Sequence, residues 1–192
     1  MEKNRDIKLV AIVGMSGSGK SVAVDYLTEK GIPKVYFGGM ILKEVERRGL
    51  AVTPDNERFV REDVRERFGK DWVVQQVIAE VEDLVAAGQK KIVLDGLYSW
   101  TEYKIMKKKY PGEELQVIAV VVDKDLRHKR VGKRPIRPLT PEEIQLRDKT
   151  EIENLEKGGP IVAADYYILN NGTIEEMHKR LVEILEEMHF EL

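Results

Sequence analysis

The chain has 192 residues, a formal net charge of −2 at pH 7 and no cysteine. Disulfides, thiolate metal sites and cysteine catalysis are therefore excluded, and the small net charge gives no sign of a nucleic-acid partner. The length predicts a single domain over residues 1–192. No apolar run is long enough to span a membrane, and the first residues lack a secretory hydrophobic segment. We therefore expect a cytoplasmic protein with no membrane partner.

The first predicted strand and the loop after it are the most informative part of the sequence. Residues 7–13 are mostly apolar and β-branched, which predicts a buried strand, and residues 21–30 predict a helix. Between them the sequence matches the P-loop pattern G-x-x-x-x-G-K-[ST], in which backbone N–H groups and a helix N-terminus bind phosphate. Lys20 is the predicted catalytic lysine on the β- and γ-phosphates, and Ser21 is a predicted Mg²⁺ ligand. The predicted nucleotide-binding residues of this loop are Gly14, Met15, Ser16, Gly17, Ser18, Gly19, Lys20 and Ser21.

Strand and helix signals alternate along the rest of the chain. Further strands are predicted at residues 33–37, 92–95, 115–122 and 165–169. Helices are predicted at about residues 40–48, 54–68, 72–88, 99–110, 123–133, 140–157 and 173–188. This alternation predicts an α/β fold with a five-stranded, mostly parallel sheet flanked by helices. Such sheets bind ligands at the carboxyl ends of their strands, where we expect the P-loop, Gly38-Gly39, Asp95 and Asp123.

Two acidic residues follow predicted strands. Asp95 comes after three apolar residues, which is the Walker B arrangement of an acid that binds Mg²⁺ directly or through water. The alternative for Asp95 is a cap on the next helix. Asp123 ends its strand in a similar way, and there the cap is the favoured interpretation. Asp95 is thus the predicted metal-binding and catalytic acid.

A basic segment follows the fourth predicted strand. Residues 124–137 contain seven Lys or Arg and one acidic residue. A mobile arginine-bearing lid, placed at about residues 125–140, would exclude water from a triphosphate and neutralise its charge during transfer. Arg127 and Arg130 are predicted to bind the nucleotide, and Arg130 and Arg134 to act in catalysis. The alternative is a solvated basic helix face.

A helical segment at about residues 39–88 is the predicted acceptor-binding region. Its arginines Arg58, Arg61 and Arg65 lie one helical turn apart and could face an anionic acceptor. Acidic residues alternate with them, so intrahelical ion pairs on a wet surface are an equally good interpretation.

Together these features resemble the nucleoside-monophosphate-kinase-like branch of P-loop kinases, and most of all dephospho-CoA kinase and archaeal adenylate-kinase-related proteins. Residues 94–97 are similar to the Asp-Gly turn of adenylate kinases, and residues 127–137 lie where the family has its arginine-rich lid. Residues 164–176 are similar to the last strand and loop of dephospho-CoA kinases. The resemblance implies a P-loop NTPase fold with a small helical lid, ATP and Mg²⁺ as cofactors, and Asn171 and Gly172 beside the adenine.

The sequence departs from that family where the acceptor binds. Gly38-Gly39-Met40 stands where the family carries an acid, and Tyr98 and Ser99 stand where adenylate kinases carry an arginine. A hydroxyl acceptor benefits from a base, whereas a phosphate acceptor is already largely ionised. The missing acid therefore favours a phosphate acceptor, although Glu44 could serve as the base instead.

The sequence thus predicts a Mg-ATP-dependent phosphotransferase that acts on a nucleotide or nucleotide-like small molecule. Dephospho-CoA kinase is the alternative within this class. A P-loop ATPase or a nucleotide-binding regulatory protein is the alternative from another class. The lid argues against the latter, because exclusion of water serves a kinase and not a hydrolase.

Overall fold

The computed structural model describes residues 6–135 and 138–192. Its centre is a five-stranded sheet in which all neighbouring strands are parallel. The strands are β1 (Lys8–Val13), β2 (Lys34–Tyr36), β3 (Lys91–Asp95), β4 (Leu115–Val121) and β5 (Tyr166–Leu169). Their order across the sheet is β2-β3-β1-β4-β5. The predicted α/β fold with a five-stranded parallel sheet is confirmed.

Helices connect the strands, and several begin at a threonine that caps the first turn. The hydroxyls of Thr53, Thr140 and Thr173 each accept a hydrogen bond from the backbone N–H three residues further on. The helices are α1 (Lys20–Glu29), α2 (Phe37–Arg47), α3 (Pro54–Phe68), α4 (Trp72–Ala86), α5 (Trp100–Lys109), α6 (Lys124–Lys133), α7 (Pro141–Glu153), α8 (Gly158–Val162) and α9 (Ile174–Glu187). None of the helices among the described residues is long and apolar enough to cross a membrane.

The sheet is buried on both faces, as a parallel sheet requires. Val10 and Ile12 of β1 point to the face that α1 and α9 cover. Leu9 and Ala11 point to the opposite face, where α4 and α5 pack. β1 lies in the middle of the sheet, and its residue Ile12 is in register with Asp95 of β3. The loop after β1 therefore begins next to the carboxyl end of β3.

Helices α2 and α3 form a small apolar core of their own. Ile41 and Val45 of α2 pack against Val60 and Val64 of α3, and all four side chains are buried. Positions 60 and 64 lie one turn apart, so this packing fixes which face of α3 is turned towards α2.

Three local predictions were wrong. α2 begins at Phe37 instead of about residue 40, so Gly38 and Gly39 lie in its first turn, where the Tyr36 ring packs closely on both. α7 ends at Glu153 instead of about residue 157, because the backbone turns through Glu156, whose φ is 54°. Asp123 precedes α6, but its side chain forms no cap hydrogen bond.

Candidate functional site

The P-loop connects β1 to α1 and is packed closely on three sides. Gly17 and Gly19 have φ angles of 84° and 96°, which L side chains rarely adopt. A Cβ atom at Gly17 would lie 2.5 Å from Val131 of α6, and one at Gly19 would lie 2.3 Å from the Asn170 amide nitrogen. Gly14 is equally restricted, because a Cβ there would lie 2.6 Å from the Val120 carbonyl oxygen. The glycines therefore allow the loop to fold between β4, the end of β5 and α6.

The loop brings its lysine to the predicted Walker B acid. The Lys20 Nζ atom lies 3.0 Å from Asp95 Oδ1, and both side chains are mostly buried. Asp95 ends β3, which is the strand beside β1, so the sheet register produces this contact. Ser21 follows Lys20 in the first turn of α1. The structure thus brings Lys20 and Asp95 together at the carboxyl ends of β1 and β3, and Ser21 is the next residue of α1.

The groups around Lys20 and Asp95 are of the types that bind a nucleotide together with Mg²⁺. No group of three or more His, Cys, Asp or Glu side chains that could hold a metal occurs among the described residues. Mg²⁺ is commonly held by one or two protein oxygens together with phosphate oxygens and water. Ser21 and Asp95 would supply such oxygens, and the loop of residues 14–21 would hold the phosphates.

An anionic side chain already binds to this loop, which shows that the loop accommodates negative charge. The Ser16 backbone N–H donates a hydrogen bond of 3.0 Å to Glu151 of α7, and the Ser16 hydroxyl donates one of 2.7 Å. Elsewhere in the loop the Ser18 N–H donates to the Met15 carbonyl over 3.0 Å, which closes a turn. The Ser18 hydroxyl is buried with no hydrogen-bond partner in the described part of the chain.

Arg127 of the predicted lid is buried and forms a hydrogen bond with the P-loop backbone. Its guanidinium donates to the Ser16 carbonyl over 3.1 Å and to the Asp148 carboxylate over 2.7 Å, and only 8% of the residue is exposed. Burial raises the pKa of Asp148, but the hydrogen bonds from Arg127 and His128 outweigh it and lower that pKa. In this structure Arg127 therefore joins the P-loop to α7.

Arg130 contacts the loop that follows β5. Its guanidinium donates to the Asn170 carbonyl over 2.8 Å and to the Gly172 carbonyl over 3.4 Å. The Asn171 side chain in turn accepts a hydrogen bond of 3.0 Å from the Asp123 N–H. Arg130 and the predicted adenine loop are thus brought together. Arg134 follows α6 directly, and residues 136 and 137 of the predicted lid, Arg137 among them, lie outside the described residues.

A cavity of about 640 Å³ lies between α2, α3, α5 and α7. We call it the arginine-lined cavity, and it is defined by Tyr36, Arg61, Arg65, Tyr98, Arg147 and Lys157. Arg58 does not line it: two thirds of the Arg58 side chain is exposed, 3.8 Å from Asp55. Of the three arginines predicted on α3, the structure therefore places two at the cavity and one on the surface.

The turn after β3 forms another wall of this cavity. The Glu102 carboxylate accepts hydrogen bonds from the backbone N–H groups of Tyr98 and Ser99, at 3.0 and 2.8 Å. Burial raises the pKa of Glu102, although these hydrogen bonds oppose the shift. Burial also raises the pKa of the Tyr98 hydroxyl, and the nearby Tyr36 and Asp95 add to that effect. Tyr98 thus presents a neutral side chain where adenylate kinases carry an arginine.

Glu44, which the sequence left open as a possible base, is engaged in ion pairs in the structure. The Glu44 carboxylate accepts hydrogen bonds from Arg47 at 2.6 Å and from Arg48 at 2.8 Å. The Arg47 hydrogen bond, with that of Arg48 behind it, lowers the pKa of Glu44 to about 2 despite its burial. Glu44 is also not among the residues that line the arginine-lined cavity. Glu44 therefore forms ion pairs that stabilise α2.

Three charged residues of the site were missed in the sequence. Arg147 and Glu151 lie on α7, and Lys157 follows it; all three line the arginine-lined cavity. The Arg147 guanidinium donates to the Ser16 hydroxyl over 2.7 Å, and Lys157 Nζ lies 2.8 Å from Glu151. Arg147 and Glu151 stand four residues apart, and that spacing alone indicates no more than an ordinary ion pair on a helix.

Solved structures, kinases among them, share this fold. The structure of TT1252 from Thermus thermophilus matches with a TM-score of 0.64 and 22% identity, over 94% of this chain and 97% of that one. Shikimate kinase from Bacteroides thetaiotaomicron matches with a TM-score of 0.57 and 16% identity, over 93% and 98%. A gluconokinase from Sinorhizobium meliloti matches with a TM-score of 0.51 and 16% identity, over 97% and 98%. The fold is that of P-loop kinases.

Relatives by sequence identify the family. A UPF0200 protein of Methanosarcina barkeri is 34% identical over 93% of this chain and 95% of its own length. A UPF0200 protein of Pyrococcus abyssi is 33% identical over 92% of this chain and 94% of its own length. The model of the AAA_18 family, described as an AAA domain, matches residues 10–157. The chain therefore belongs to the UPF0200 family and carries an AAA_18 domain.

Proposed function

We propose that this protein is a Mg-ATP-dependent phosphotransferase whose acceptor is a nucleotide or a nucleotide-like metabolite. The observation that carries the proposal is that the P-loop and the arginine-lined cavity meet at shared residues. Glu151 binds the P-loop residue Ser16 and also lines the cavity, and Arg147 does the same. A donor phosphate in the loop would thus face an acceptor in the cavity, which is the arrangement that transfer between two bound molecules requires.

The charges around the cavity favour an anionic acceptor. Arg61 and Arg65 enter it from α3, and Arg147 and Lys157 enter from the side of the P-loop. Arginine binds phosphate groups through two parallel hydrogen bonds and is always charged. We infer that α3 holds a phosphate of the acceptor while the other side of the cavity faces the phosphate that is transferred.

The acids of the cavity favour an acceptor that needs no base. Of the four that line it, Glu102 is bound to backbone N–H groups, Glu143 caps α7 and Glu151 is paired with Lys157. Glu57 is the fourth. A phosphate acceptor is already ionised near neutral pH, so its attack requires no proton transfer to these side chains. Dephospho-CoA kinase, whose acceptor is a hydroxyl, is the alternative in this class.

In the proposed reaction, Lys20 and the loop N–H groups would hold the β- and γ-phosphates, and Ser21 and Asp95 would hold Mg²⁺. Arg130 and Arg134 of the lid segment would neutralise the charge that spreads over the γ-phosphoryl group, with Arg127 and the Asn171-Gly172 loop supporting the nucleotide. When bound, Mg²⁺ supplies charge neutralisation at the phosphates. The similar fold of shikimate kinase and gluconokinase supports a small-molecule acceptor.

A screen of acceptors tests this proposal. Nucleoside monophosphates, nucleosides and dephospho-CoA would each be added with Mg-ATP, and ADP release would be compared with the rate without acceptor. We expect a nucleoside monophosphate or a related phosphate to raise the rate of ADP release. Arg61→Ala should raise the KM for that acceptor, whereas Arg58→Ala, at an exposed position, should not. ADP release that no acceptor increases would favour the ATPase or regulatory alternative instead.

A further inference from the structure

The carboxylate of Glu151 is bound to hydrogen-bond donors of the P-loop. It accepts hydrogen bonds from the Ser16 N–H and the Ser16 hydroxyl, at 3.0 and 2.7 Å, and only 2% of the residue is exposed. The N–H groups of a P-loop bind phosphate oxygens. Ser16 and Glu151 are 135 residues apart in the chain, so the fold itself brings this anion to the loop.

Lys157 is the buried cation that holds this carboxylate. Its Nζ atom lies 2.8 Å from Glu151 and 4.8 Å from the centre of the Tyr98 ring, and 7% of the residue is exposed. Lys157 lines the arginine-lined cavity, and it also lines a narrow crevice beside Gly14 and Lys20 of the P-loop that is too tight to hold a water molecule. It therefore lies between the place for the donor phosphate and the place for the acceptor.

One carboxylate does not fully offset the cost of burying the Lys157 charge. Burial lowers the pKa of Lys157, Glu151 opposes that shift, and the positive charges of Lys20 and Arg147 lower it further. Burial of a charge is costly unless the charge is paired. A terminal phosphate next to Lys20 would carry more negative charge than Glu151 and would pair with Lys157 and Lys20 at the same time.

From this geometry we infer that Glu151 is a resident anion that the terminal phosphate of ATP replaces, and that Lys157 then binds that phosphate as a second catalytic cation beside Lys20. The inference rests on the proposed function and adds no covalent step to it. Two anions cannot share the Ser16 N–H, so the phosphate must displace the carboxylate. The flexible lysine ammonium, a point charge on a long stem, suits a transfer from one anion to the other.

Nucleotide titrations test the two parts of this inference. A non-hydrolysable ATP analogue and ADP, each with Mg²⁺, would be titrated calorimetrically into the wild type, Glu151→Gln, and the double variant Glu151→Gln/Lys157→Gln. Glu151→Gln should bind the ATP analogue about ten-fold more tightly, because no charged competitor has to leave. Exposed Glu153→Gln on the same helix is the matched control and should change nothing.

The double variant leaves no unpaired buried charge and isolates the role of Lys157. We expect the ratio of its affinities for the ATP analogue and for ADP to fall about ten-fold, because only the ATP analogue carries the phosphate that Lys157 binds. Thermal unfolding would confirm that it folds; if it does not, Glu151→Gln alone still decides whether the carboxylate competes with the nucleotide.

Three results would overturn the inference. Weaker binding of both nucleotides by Glu151→Gln would mean that Glu151 only braces the loop. A wild-type ratio of the two affinities in the folded double variant would mean that Lys157 does not contact the terminal phosphate. Failure of the wild type to bind either nucleotide would remove the proposed function as well, whereas the first two results leave it intact.

Discussion

The Lys20 ammonium lies 3.0 Å from the Asp95 carboxylate across two neighbouring strands of the sheet. Without a ligand each charge neutralises the other, and both are mostly shielded from solvent. A Mg-nucleotide would divide the pair, since its phosphates attract the lysine and its metal attracts the acid. This contact therefore links the phosphate-binding half of the site to the metal-binding half.

The first prediction concerns Lys20. Lys20→Ala should weaken the binding of a Mg-ATP analogue by about ten-fold or more, because a charge-assisted contact to the phosphates is lost. The fold should survive, since Lys20 lies in the loop after β1 and is not part of the apolar core. Calorimetric titration measures the affinity, and Lys30→Ala at the exposed end of α1 is the control. Wild-type affinity in folded Lys20→Ala would refute the P-loop assignment.

A second prediction separates the metal from the nucleotide. Asp95→Asn should keep nucleotide affinity within a few-fold but shift the Mg²⁺ dependence of turnover to higher concentration and lower the maximal rate by about ten-fold or more. The shape of the side chain is kept while its charge is lost. Asp123→Asn should leave both quantities unchanged. If the two variants behaved in the opposite way, Asp123 would be the metal-binding acid.

The third prediction concerns the lid. Arg130→Ala and Arg134→Ala should each lower the catalytic rate by about ten-fold or more, with a smaller change in ATP affinity, because these arginines act on charge that develops in the transition state. Lys129→Ala, an exposed cation on the same helix, should have little effect. A single-turnover measurement would separate the rate from the affinity.

Hydrogen exchange tests the same segment without catalysis. Residues 125–140 should gain protection when an ATP analogue binds, because the like charges of the segment repel until a polyphosphate neutralises them. Equal protection with and without the analogue, combined with normal turnover in both arginine variants, would identify a plain basic helix.

A fourth prediction concerns stability at low pH. Because the Arg47 and Arg48 hydrogen bonds lower the Glu44 pKa to about 2, the ionised carboxylate stabilises the fold above its unfolded pKa of about 4.3. That contribution is lost as the pH falls from there towards the folded value. Arg47 is largely exposed, so solvent screening reduces this contribution.

Glu44→Gln is the variant for this measurement. The difference in unfolding free energy between wild type and Glu44→Gln should be present near neutral pH and should shrink below about pH 4. Denaturant titrations at several pH values would measure it, with exposed Glu46→Gln as the control. A difference that stays constant from pH 7 to about pH 2.5 would contradict the assigned ion pairs.

Local signals in the sequence predicted the sheet and the donor half of the site. The apolar runs and the P-loop pattern are contiguous, and Asp95 ends its strand, so parallel pairing alone brings Asp95 to Lys20. The ion pairs of Glu44 could also have been predicted, since Arg47 and Arg48 stand three and four residues further along a helix.

The acceptor half of the site could not be predicted in this way. Its residues come from α3, the turn after β3 and α7, and only tertiary packing brings them together. Arg61 and Arg58 are indistinguishable by helical spacing, and only the packing of Val60 and Val64 turns one of them towards the cavity. The contact between Ser16 and Glu151 spans 135 residues and has no sequence signal of its own.

The fate of the γ-phosphate tests the central claim most directly. ATP labelled in that phosphate would be incubated with Mg²⁺, the protein and each candidate acceptor, and the labelled products would be separated. The proposed function predicts that label appears in the organic acceptor, that little is released as inorganic phosphate, and that Lys20→Ala abolishes the transfer. Label that appears only as inorganic phosphate, at a rate no acceptor changes, would contradict it.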